Sequence, residues 1–412
     1  MDRLKKIWCR AFQGAFRLAI PILPYRRPEQ AGDVADLPPL LAGKGCKSVL
    51  VVTSPSVARM PGTQRLLGAL DGLGIARTVY GKTVPNPTTD TVEEALALYR
   101  AGGCQAIIGI GGGSSLDCAK AVGVRVARPG TPLSKLGGVL KVRRRLPPLA
   151  AVPTTAGTGS ETTIAAVITD ARTRHKYAIS DFPLIPDYAV LDPEMTLSLP
   201  PHLTASTGMD ALTHAVEAFI GRSTTRDTRE DALAAVELIF QNLERAYRDG
   251  SDLEARRALL TASYRAGCAF TKSYVGYVHA VAHSLGGAYN VAHGYANAVI
   301  LPVVLRAYGP AVYPQLARLA RAAGLAQPGM DAQAAALAFI EGVEGLKARC
   351  GIGSSIPELR REDVPALARC AGREANPLYP VPVLMDAGEL EQIYFQLLQG
   401  PFARGRGVIS ES

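Results

Sequence analysis

Short apolar segments alternate with stretches of helical periodicity over the first half of the chain. The apolar segments end in Gly, Pro or Ser and are short enough for buried strands, whereas the stretches between them repeat Leu and Ala at three- and four-residue spacing. Predicted strands cover 47–55, 76–81, 104–110 and 146–155, and predicted helices cover 60–74, 87–103 and 111–128. This alternation predicts a parallel sheet with right-handed crossovers. Two further β segments are expected at 163–170 and 184–191, with a turn at 169–176.

The second half of the chain is helical in pattern. A Pro-, Ser- and Thr-rich stretch at 193–203 is typical of a linker. Beyond it Ala, Leu and Arg recur at helical spacing, which predicts helices at 204–221, 229–247, 252–270, 278–289, 310–323, 331–349, 362–371 and 386–399. We therefore predict an N-terminal α/β domain with a Rossmann-like parallel sheet and an all-helical C-terminal domain. The expected boundaries are 1–30 for an N-terminal amphipathic extension, 31–198 for the α/β domain and 199–412 for the helical domain.

Composition narrows the class of protein. The 412 residues are 48% hydrophobic and 20% charged, which is typical of a globular protein and not of a disordered one. The net charge of +9 has no accompanying zinc-finger spacing, RNP-like motif or basic-aromatic stripe, so nucleic-acid binding is not expected. The seven cysteines are scattered without a CxxC pair, which favours a reducing cytoplasm. No uninterrupted apolar run reaches the roughly 18 residues of a membrane-spanning helix.

The first 24 residues form a basic amphipathic pattern. Leu4, Trp8 and Leu18 share one helical stripe, and Arg3 and Arg10 lie on another. Such a helix can lie weakly on an anionic membrane surface or act as a transit peptide. The simpler interpretation is a helix that docks on its own protein or on a neighbouring subunit.

Two glycine-containing loops follow predicted strands. "GGGSS" (111–115) joins a strand to a helix, where backbone N–H groups and the helix dipole favour a phosphate. Its spacing does not match GxGxxG, so taken alone it also fits a tight turn with a helix cap. "PTTAGTGSE" (153–161) follows the next strand, at the edge where parallel sheets bind ligands. Together the two loops favour a nucleotide or another phosphate ligand.

Histidines are concentrated in the predicted helical domain. The chain has six, and His279, His283 and His293 fall within "HAVAHSLGGAYNVAH". Asp210 and His214 are four residues apart and therefore share a helix face. One carboxylate and several imidazoles are a suitable ligand set for a divalent transition metal. The stretch lacks the Glu of HExxH, which excludes the metalloprotease motif.

A phosphate-binding domain joined to a metal-binding domain suggests hydride chemistry on an alcohol. A metal can stabilise an alkoxide, and nicotinamide can accept the hydride from the carbon. An imidazole outside the metal site could relay the proton. The remaining histidines, His175 and His202, are expected to be structural or surface residues.

Five motifs in order give the chain a family resemblance. "PNPTTDTVEEAL", "GIGGGSSLDCAKAVG", "PTTAGTGSETT", "GMDALTHAVEAF" and "VHAVAHSLGGAYNVAHGYANAVILP" together resemble the iron-containing (group III) alcohol dehydrogenases. The resemblance runs from about residue 40 to 305, and more loosely to the C-terminus. It implies a dehydroquinate synthase-like architecture, an NAD(P)-dependent alcohol dehydrogenase and a small alcohol or aldehyde substrate. It also implies a homo-oligomer, whereas residues 1–30 extend beyond the usual family start.

The resemblance implies roles for particular residues. Its metal ligands would be Asp210, His214, His279 and His293, and His283 would lie close to the nicotinamide as the proton-relay residue. The cofactor-binding residues would be Ser54, Asn86, Gly112, Gly113, Ser114, Asp117, Thr154, Thr155, Thr158 and Lys176. The related polyol-dehydrogenase and dehydroquinate-synthase enzymes use one Asp and two His with zinc. The four candidate ligands here, one Asp and three His, match the alcohol dehydrogenases instead. Iron(II) is the expected metal, with zinc or another divalent ion as the alternative.

One position departs from the family pattern. NAD-preferring members usually end the first strand with Asp, whose carboxylate binds the ribose hydroxyls and repels a 2′-phosphate. Here "VLVVTS" places Ser54 at that position. Because a neutral hydroxyl removes the repulsion, we predict that NADP is accepted as well as NAD.

Two alternatives to the alcohol dehydrogenase remain. A hydroxyacid–oxoacid transhydrogenase on the same fold would recycle bound nicotinamide in place and need no added cofactor. The other alternative is a membrane-associated, non-catalytic binding protein. Its only support is the amphipathic pattern of residues 1–24, and the complete set of candidate metal ligands argues against it.

Overall fold

The computed structural model describes residues 1–399, and all structural statements below concern that part of the chain. Nine strands are present: β1 Glu29–Ala31, β2 Ser48–Val52, β3 Ala76–Tyr80, β4 Ala106–Gly111, β5 Gly138–Val139, β6 Leu149–Pro153, β7 Ala165–Thr169, β8 Lys176–Ser180 and β9 Tyr188–Val190. Seven helices lie at or before residue 136: α1 Arg3–Ala19, α2 Leu37–Gly43, α3 Pro55–Ala58, α4 Pro61–Gly72, α5 Thr89–Ala101, α6 Gly113–Ala127 and α7 Leu133–Leu136.

The remainder of the chain is helical, as predicted. Its helices are α8 Pro201–Ile220, α9 Arg226–Arg248, α10 Leu253–Ser273, α11 Tyr277–Tyr289, α12 His293–Tyr308, α13 Tyr313–Ala322, α14 Ala332–Arg349, α15 Val364–Ala375 and α16 Ala387–Gln399. The predicted fold class, an α/β region with a parallel sheet followed by an all-helical region, is confirmed.

The principal sheet has six strands in the order β1-β9-β6-β4-β2-β3, and every neighbouring pair is parallel. Successive side chains of a strand alternate between its faces. Val49 and Val51 accordingly lie in one buried cluster, and Leu50 and Val52 lie in another. Both faces of the sheet are thus covered, which explains why its strands read as continuous apolar runs.

A smaller sheet has the order β5-β8-β7. β8 runs antiparallel to β7 and covers residues predicted as a turn and the residues after it. The turn lies where it was predicted and spans 170–175, and Asp170 accepts hydrogen bonds from the backbone N–H groups of Arg172 and Thr173 within it. β1 and β5 are only three and two residues long, and β8 has a single buried residue, Ile179, so their sequences did not indicate strands.

The chain forms two compact units. The α/β unit comprises Pro24–Pro200 and Asp249–Thr271, and the helical unit comprises Met1–Leu23, Pro201–Arg248 and Lys272 onward. The predicted boundary after residue 198 therefore differs in two respects: most of α10 belongs to the α/β unit, and α1 belongs to the helical unit. Residues 400–412 of the predicted helical domain lie outside the described residues.

Specific contacts explain the position of α10. The hydroxyl of Tyr264 donates to the carbonyl oxygen of Pro28 at 2.8 Å. A Cβ on Gly159 would lie 2.8 Å from the Cα of Gly267, so the helix and the 153–161 loop approach each other backbone to backbone. Helical periodicity predicts an element but not the element against which it packs.

One helical stretch, His293–Ala322, has the length and apolar composition of a membrane span. Its mean hydropathy is 1.2, and 61% of the apolar window is buried inside the protein. Because the core helices of globular proteins pass the same test, this stretch is weak support for a membrane span.

Candidate metal centre and cofactor loops

Three helices of the helical unit bring four predicted ligands together. Asp210 and His214 project from one face of α8, His279 comes from α11, and His293 is the first residue of α12. One ligand atom from each residue lies within 4.8 Å of those of the other three. Asp210, His214 and His279 are buried, and His293 is half-buried. One carboxylate and three imidazoles in this arrangement are a donor set for a divalent transition metal.

The side-chain amide of Asn297 lies against the same donor atoms. Its Nδ2 is 2.7 Å from Oδ1 of Asp210, 3.2 Å from Nε2 of His279 and 3.1 Å from Nε2 of His293. An amide nitrogen has two hydrogens, so it cannot satisfy three acceptors at once. When both rings present a lone pair, the carboxylate oxygen and the two ring nitrogens lie close together with too few N–H donors among them, and a cation satisfies such an arrangement better. The donor set therefore fits a divalent metal.

Glu217 fixes the orientation of His279. Its carboxylate accepts the backbone N–H groups of Gly276 and Val278, each at 2.8 Å, and lies 2.6 Å from Nδ1 of His279. With Nδ1–H donated to Glu217, the lone pair of Nε2 faces the ligand cluster. A carboxylate that holds a ligating histidine in this way also increases the basicity of the imidazole.

Burial governs the protonation of this pair. Burial and the three neighbouring imidazoles lower the pKa of His279 well below its usual value, so the ring is neutral and can act as a ligand. Burial also raises the pKa of Glu217 to about 8, a shift opposed by the three N–H groups that it accepts.

His283 lies outside the four-residue cluster, and its role as a residue that does not bind the metal stays a prediction. Its ring stacks 5.2 Å from that of His293, and 44% of its side chain is exposed. Its Nδ1 lies 2.6 Å from Oε1 of Glu374. The same carboxylate oxygen accepts the hydroxyl of Tyr379 at 2.7 Å. Glu374 and Tyr379 thus hold the ring with Nδ1 engaged and Nε2 available.

The predicted cofactor loops meet at the carboxyl edge of the six-stranded sheet. Residues 111–115 follow β4 and residues 153–161 follow the neighbouring strand β6. The N–H of Thr154 donates to the carbonyl oxygen of Gly111 at 3.0 Å. A Cβ on Gly113 would lie 3.2 Å from Cγ2 of Thr158, so glycine allows the two loops to approach closely.

This edge of the sheet has the features of a phosphate site. α6 begins at Gly113 without a side-chain cap, and its first N–H groups and its dipole favour an anion. Oγ1 of Thr155 is buried without a hydrogen-bond partner among the described residues. The donors of both loops are therefore suited to the pyrophosphate of a dinucleotide.

A chain of contacts joins three further predicted residues. The N–H of Asn86 donates to Oγ of Ser114 at 3.3 Å, and Nζ of Lys176 donates to Oδ1 of Asn86 at 2.8 Å. Asn86 has a φ of 54°, in the left-handed region that Asn tolerates better than most residues. Asn86 and Lys176, which are distant from each other in sequence, thus lie together beside Ser114 at the start of α6.

Two predicted cofactor residues have protein partners. Both carboxylate oxygens of Asp117 accept protein donors, the hydroxyl of Ser160 at 2.8 Å and the N–H of Val167 at 3.0 Å. This geometry gives Asp117 a part in holding the 153–161 loop, and its contact with a cofactor stays a prediction. Ser54 follows β2 and caps the short helix α3, with its Oγ 3.4 Å from the N–H of Val57.

Four side chains around the ligand cluster and His283 were not predicted from the sequence: Glu217, Asn297, Glu374 and Tyr379. Glu217 is an acidic residue in an apolar stretch, three positions after His214 and seven after Asp210, and this spacing on α8 was an available signal. Asn297 similarly lies one turn after His293 on α12. No local pattern marks Glu374, which contacts a histidine 91 residues away in sequence.

Comparison with known families matches nearly the whole chain. Residues 29–193 match the model described as iron-containing alcohol dehydrogenase. Residues 204–398 match the model described as Fe-containing alcohol dehydrogenase family, C-terminal.

Individual relatives agree with these matches. The chain is 37% identical to a 1,3-propanediol dehydrogenase of Citrobacter freundii, over 88% of this chain and 93% of the relative. It is 36% identical to an NAD-dependent methanol dehydrogenase of Bacillus methanolicus (82% and 90% covered). It is also 35% identical to a lactaldehyde reductase of Escherichia coli K12 (82% and 89% covered).

Solved structures also resemble the chain. A 1,3-propanediol oxidoreductase superposes with a TM-score of 0.87 at 34% identity, over 91% of this chain and 99% of the other. A sulfoacetaldehyde reductase of Bifidobacterium kashiwanohense, in complex with NAD⁺, gives 0.82 at 28% identity, over 93% and 99%.

Proposed function

The chain belongs to the iron-containing alcohol dehydrogenase family, and from this premise we propose which residues carry its chemistry. The protein is a metal-dependent, NAD(P)-linked alcohol dehydrogenase or aldehyde reductase, as the five motifs predicted. The observation that supports the assignment of roles best is the convergence of Asp210, His214, His279 and His293 within 4.8 Å.

The four clustered side chains would hold the divalent metal. When bound, such an ion acts as a Lewis acid toward the oxygen of the substrate. His279 would be held by Glu217 with Nε2 facing the metal, and its neutral state leaves that nitrogen free to bind. Iron(II) is the metal that the family implies, and zinc or another divalent ion would also suit imidazole and carboxylate ligands.

The loops at the sheet edge would hold the nicotinamide dinucleotide. Gly112, Gly113 and Ser114 would present backbone N–H groups to the pyrophosphate, with Thr154, Thr155 and Thr158 as neighbouring donors. Asn86 and Lys176 would extend this surface through their contact with Ser114 and with each other. We accordingly assign nucleotide binding to the predicted domain 31–198 and metal binding to 199–412, with 1–30 as an extension.

His283 would move the proton of the reaction. Its Nδ1 is engaged by Glu374, so Nε2 is the atom that would take up or release a proton. The carboxylate of Glu374 would stabilise the protonated ring while Tyr379 holds that carboxylate in place. Glu374 and Tyr379 are thus positioning residues.

We propose short-chain primary alcohols, diols or lactaldehyde-like aldehydes as substrates, since relatives carry such names. A homo-oligomer in the cytoplasm is the proposed working form. The compartment is supported by seven cysteines without a disulfide among the described residues. A weak contact of residues 1–24 with a membrane surface is proposed in addition.

Metal analysis combined with an activity panel tests this function. We expect about one divalent ion per chain and oxidation of short alcohols that stops on chelation and resumes when metal is returned. Absence of both metal and activity would contradict the proposal. Turnover of a hydroxyacid–oxoacid pair without added nicotinamide would instead favour the transhydrogenase.

Ser54 is predicted to permit NADP as well as NAD. We expect kcat/KM with NADP(H) to lie within about tenfold of that with NAD(H), because no carboxylate repels the 2′-phosphate. The S54D variant should lose NADP(H) activity by about tenfold or more and keep NAD(H) activity, whereas S54A should retain both. A wild-type preference for NAD(H) above tenfold would refute the prediction.

A further inference from the structure

The helix α1 docks on the helical unit through one face. Gln13 is buried and donates to the carbonyl oxygen of Tyr379 at 2.7 Å, and Arg10 donates to those of Val381 and Pro382 at 2.7 and 2.8 Å. Cys9 is also buried on this face. Ile20 is buried just after the helix on the same face, and Phe16 packs edge-on against Tyr274, so the docked face combines polar contacts with apolar packing.

The apolar stripe of α1 faces away from that contact. Its large side chains are exposed, with 75% of Leu4, 61% of Trp8 and 81% of Leu18 accessible, and the stripe continues after the helix to Ile22 at 84%. The residues of the stripe are Leu4, Ile7, Trp8, Ala11, Ala15, Leu18 and Ile22. A contiguous exposed apolar surface of this kind marks an interaction site.

Cations border the stripe on both sides. Arg3 lies along one border and Lys5 along the other, at 100° per residue, whereas Lys6 and Arg17 lie on the opposite half of the helix, beside the docked face. All four are exposed, and within residues 1–399 none forms an ion pair. A second copy of the chain would bring the same cations together across an isologous contact, and an anionic surface would neutralise them.

We propose that the outward face of α1 binds an anionic lipid surface, with the helix lying parallel to the membrane plane. The stripe would enter the boundary between headgroups and acyl chains, with Trp8 at the interfacial depth that this side chain favours. Arg3 and Lys5, which border the stripe, would contact lipid phosphates. The inner face keeps its contacts with residues 377–382, so the enzyme binds the membrane without unfolding any part of the helical unit.

This inference rests on the contact proposed above for residues 1–24 and is independent of the dehydrogenase activity. Co-sedimentation of the full chain with vesicles tests it, comparing phosphatidylcholine alone with phosphatidylcholine containing about one third phosphatidylglycerol. The W8S/L18S double variant removes apolar surface from the outward face and leaves Arg10 and Gln13 unchanged. The matched control, L73S/L253S, removes two leucines that are 52% and 43% exposed elsewhere.

We expect the wild type to bind the anionic vesicles about fivefold more than the neutral ones, and W8S/L18S to lose about fivefold of that binding. L73S/L253S should bind as the wild type does. Alcohol oxidation by the same samples should stay at wild-type level, so failure of the lipid contact and failure of the enzyme function can be told apart. Negligible vesicle binding by the wild type, or equal binding by W8S/L18S, would overturn the proposal. A lower oligomeric mass of W8S/L18S in sedimentation velocity, without vesicle binding by the wild type, would assign the stripe to a contact between copies.

Discussion

His279→Ala is expected to lose the metal and to lower kcat/KM by about 10³-fold, equivalent to about 4 kcal/mol of transition-state stabilisation. His279 contributes one of four donor atoms from a buried ring, and no other described residue contacts both the cluster and Glu217 as it does. Metal content after gel filtration, measured beside steady-state kinetics, checks the prediction.

Two further histidine variants serve as comparisons for His279→Ala. His283→Ala should keep the metal and lower kcat by about 10²-fold, the contribution of a positioned proton carrier. His202→Ala removes an exposed histidine from α8, the helix of Asp210, and should leave metal and rate unchanged. Retention of metal by His279→Ala, or its loss from His283→Ala, would reverse the proposed roles of the two residues.

Glu217→Gln is expected to weaken metal binding by about 10- to 100-fold, although Glu217 is not itself one of the four proposed ligands. The substitution keeps the volume of the side chain but leaves one amide oxygen to accept three N–H groups. The His279 ring would then lose its fixed orientation or its enhanced basicity. Competition with a chelator of known affinity measures the change.

Recovery of activity when metal is added would distinguish the role of Glu217 in orienting His279 from a general loss of protein stability. At saturating metal the Glu217→Gln enzyme should regain most of its kcat, since the four ligands are intact. Glu237→Gln, an exposed carboxylate on α9, is the control and should bind metal normally. Wild-type metal affinity in Glu217→Gln would show that the buried carboxylate serves packing alone.

Strands with continuous apolar runs and helices with strong periodicity were predictable because each signal is local. β2, β4 and β6 are buried on both faces, so their sequences carry no polar interruptions. α12 was not predicted as a helix, since it is apolar around most of its circumference and contains Pro302. β8 was missed because it is short and only Ile179 of its five residues is buried, so it has no long apolar run.

Spacing pointed to a metal site, because Asp210 and His214 share a helix turn and the other histidines lie close together in sequence, whereas the choice of His279 and His293 over His283 came from the family resemblance. Gly112 and Ser114 could be identified in the same way from one loop. The spacing of Glu217 on α8 could mark it as a candidate, but the contacts that orient the rings could not be predicted, since Glu217 reaches His279 over 62 residues and Glu374 reaches His283 over 91. Tertiary packing alone creates these pairs.

The inner face of α1 has a consequence for kinetics. Gln13 holds the backbone of Tyr379, whose hydroxyl contacts Glu374, which in turn contacts His283. The first helix of the chain is thereby a brace for the proposed proton carrier. A variant that lacks residues 1–28 and so begins where the family match begins would lose the contact between Gln13 and Tyr379. It would keep every predicted metal ligand. A lower kcat in that variant would therefore reflect a less firmly oriented His283 ring and not a damaged metal site.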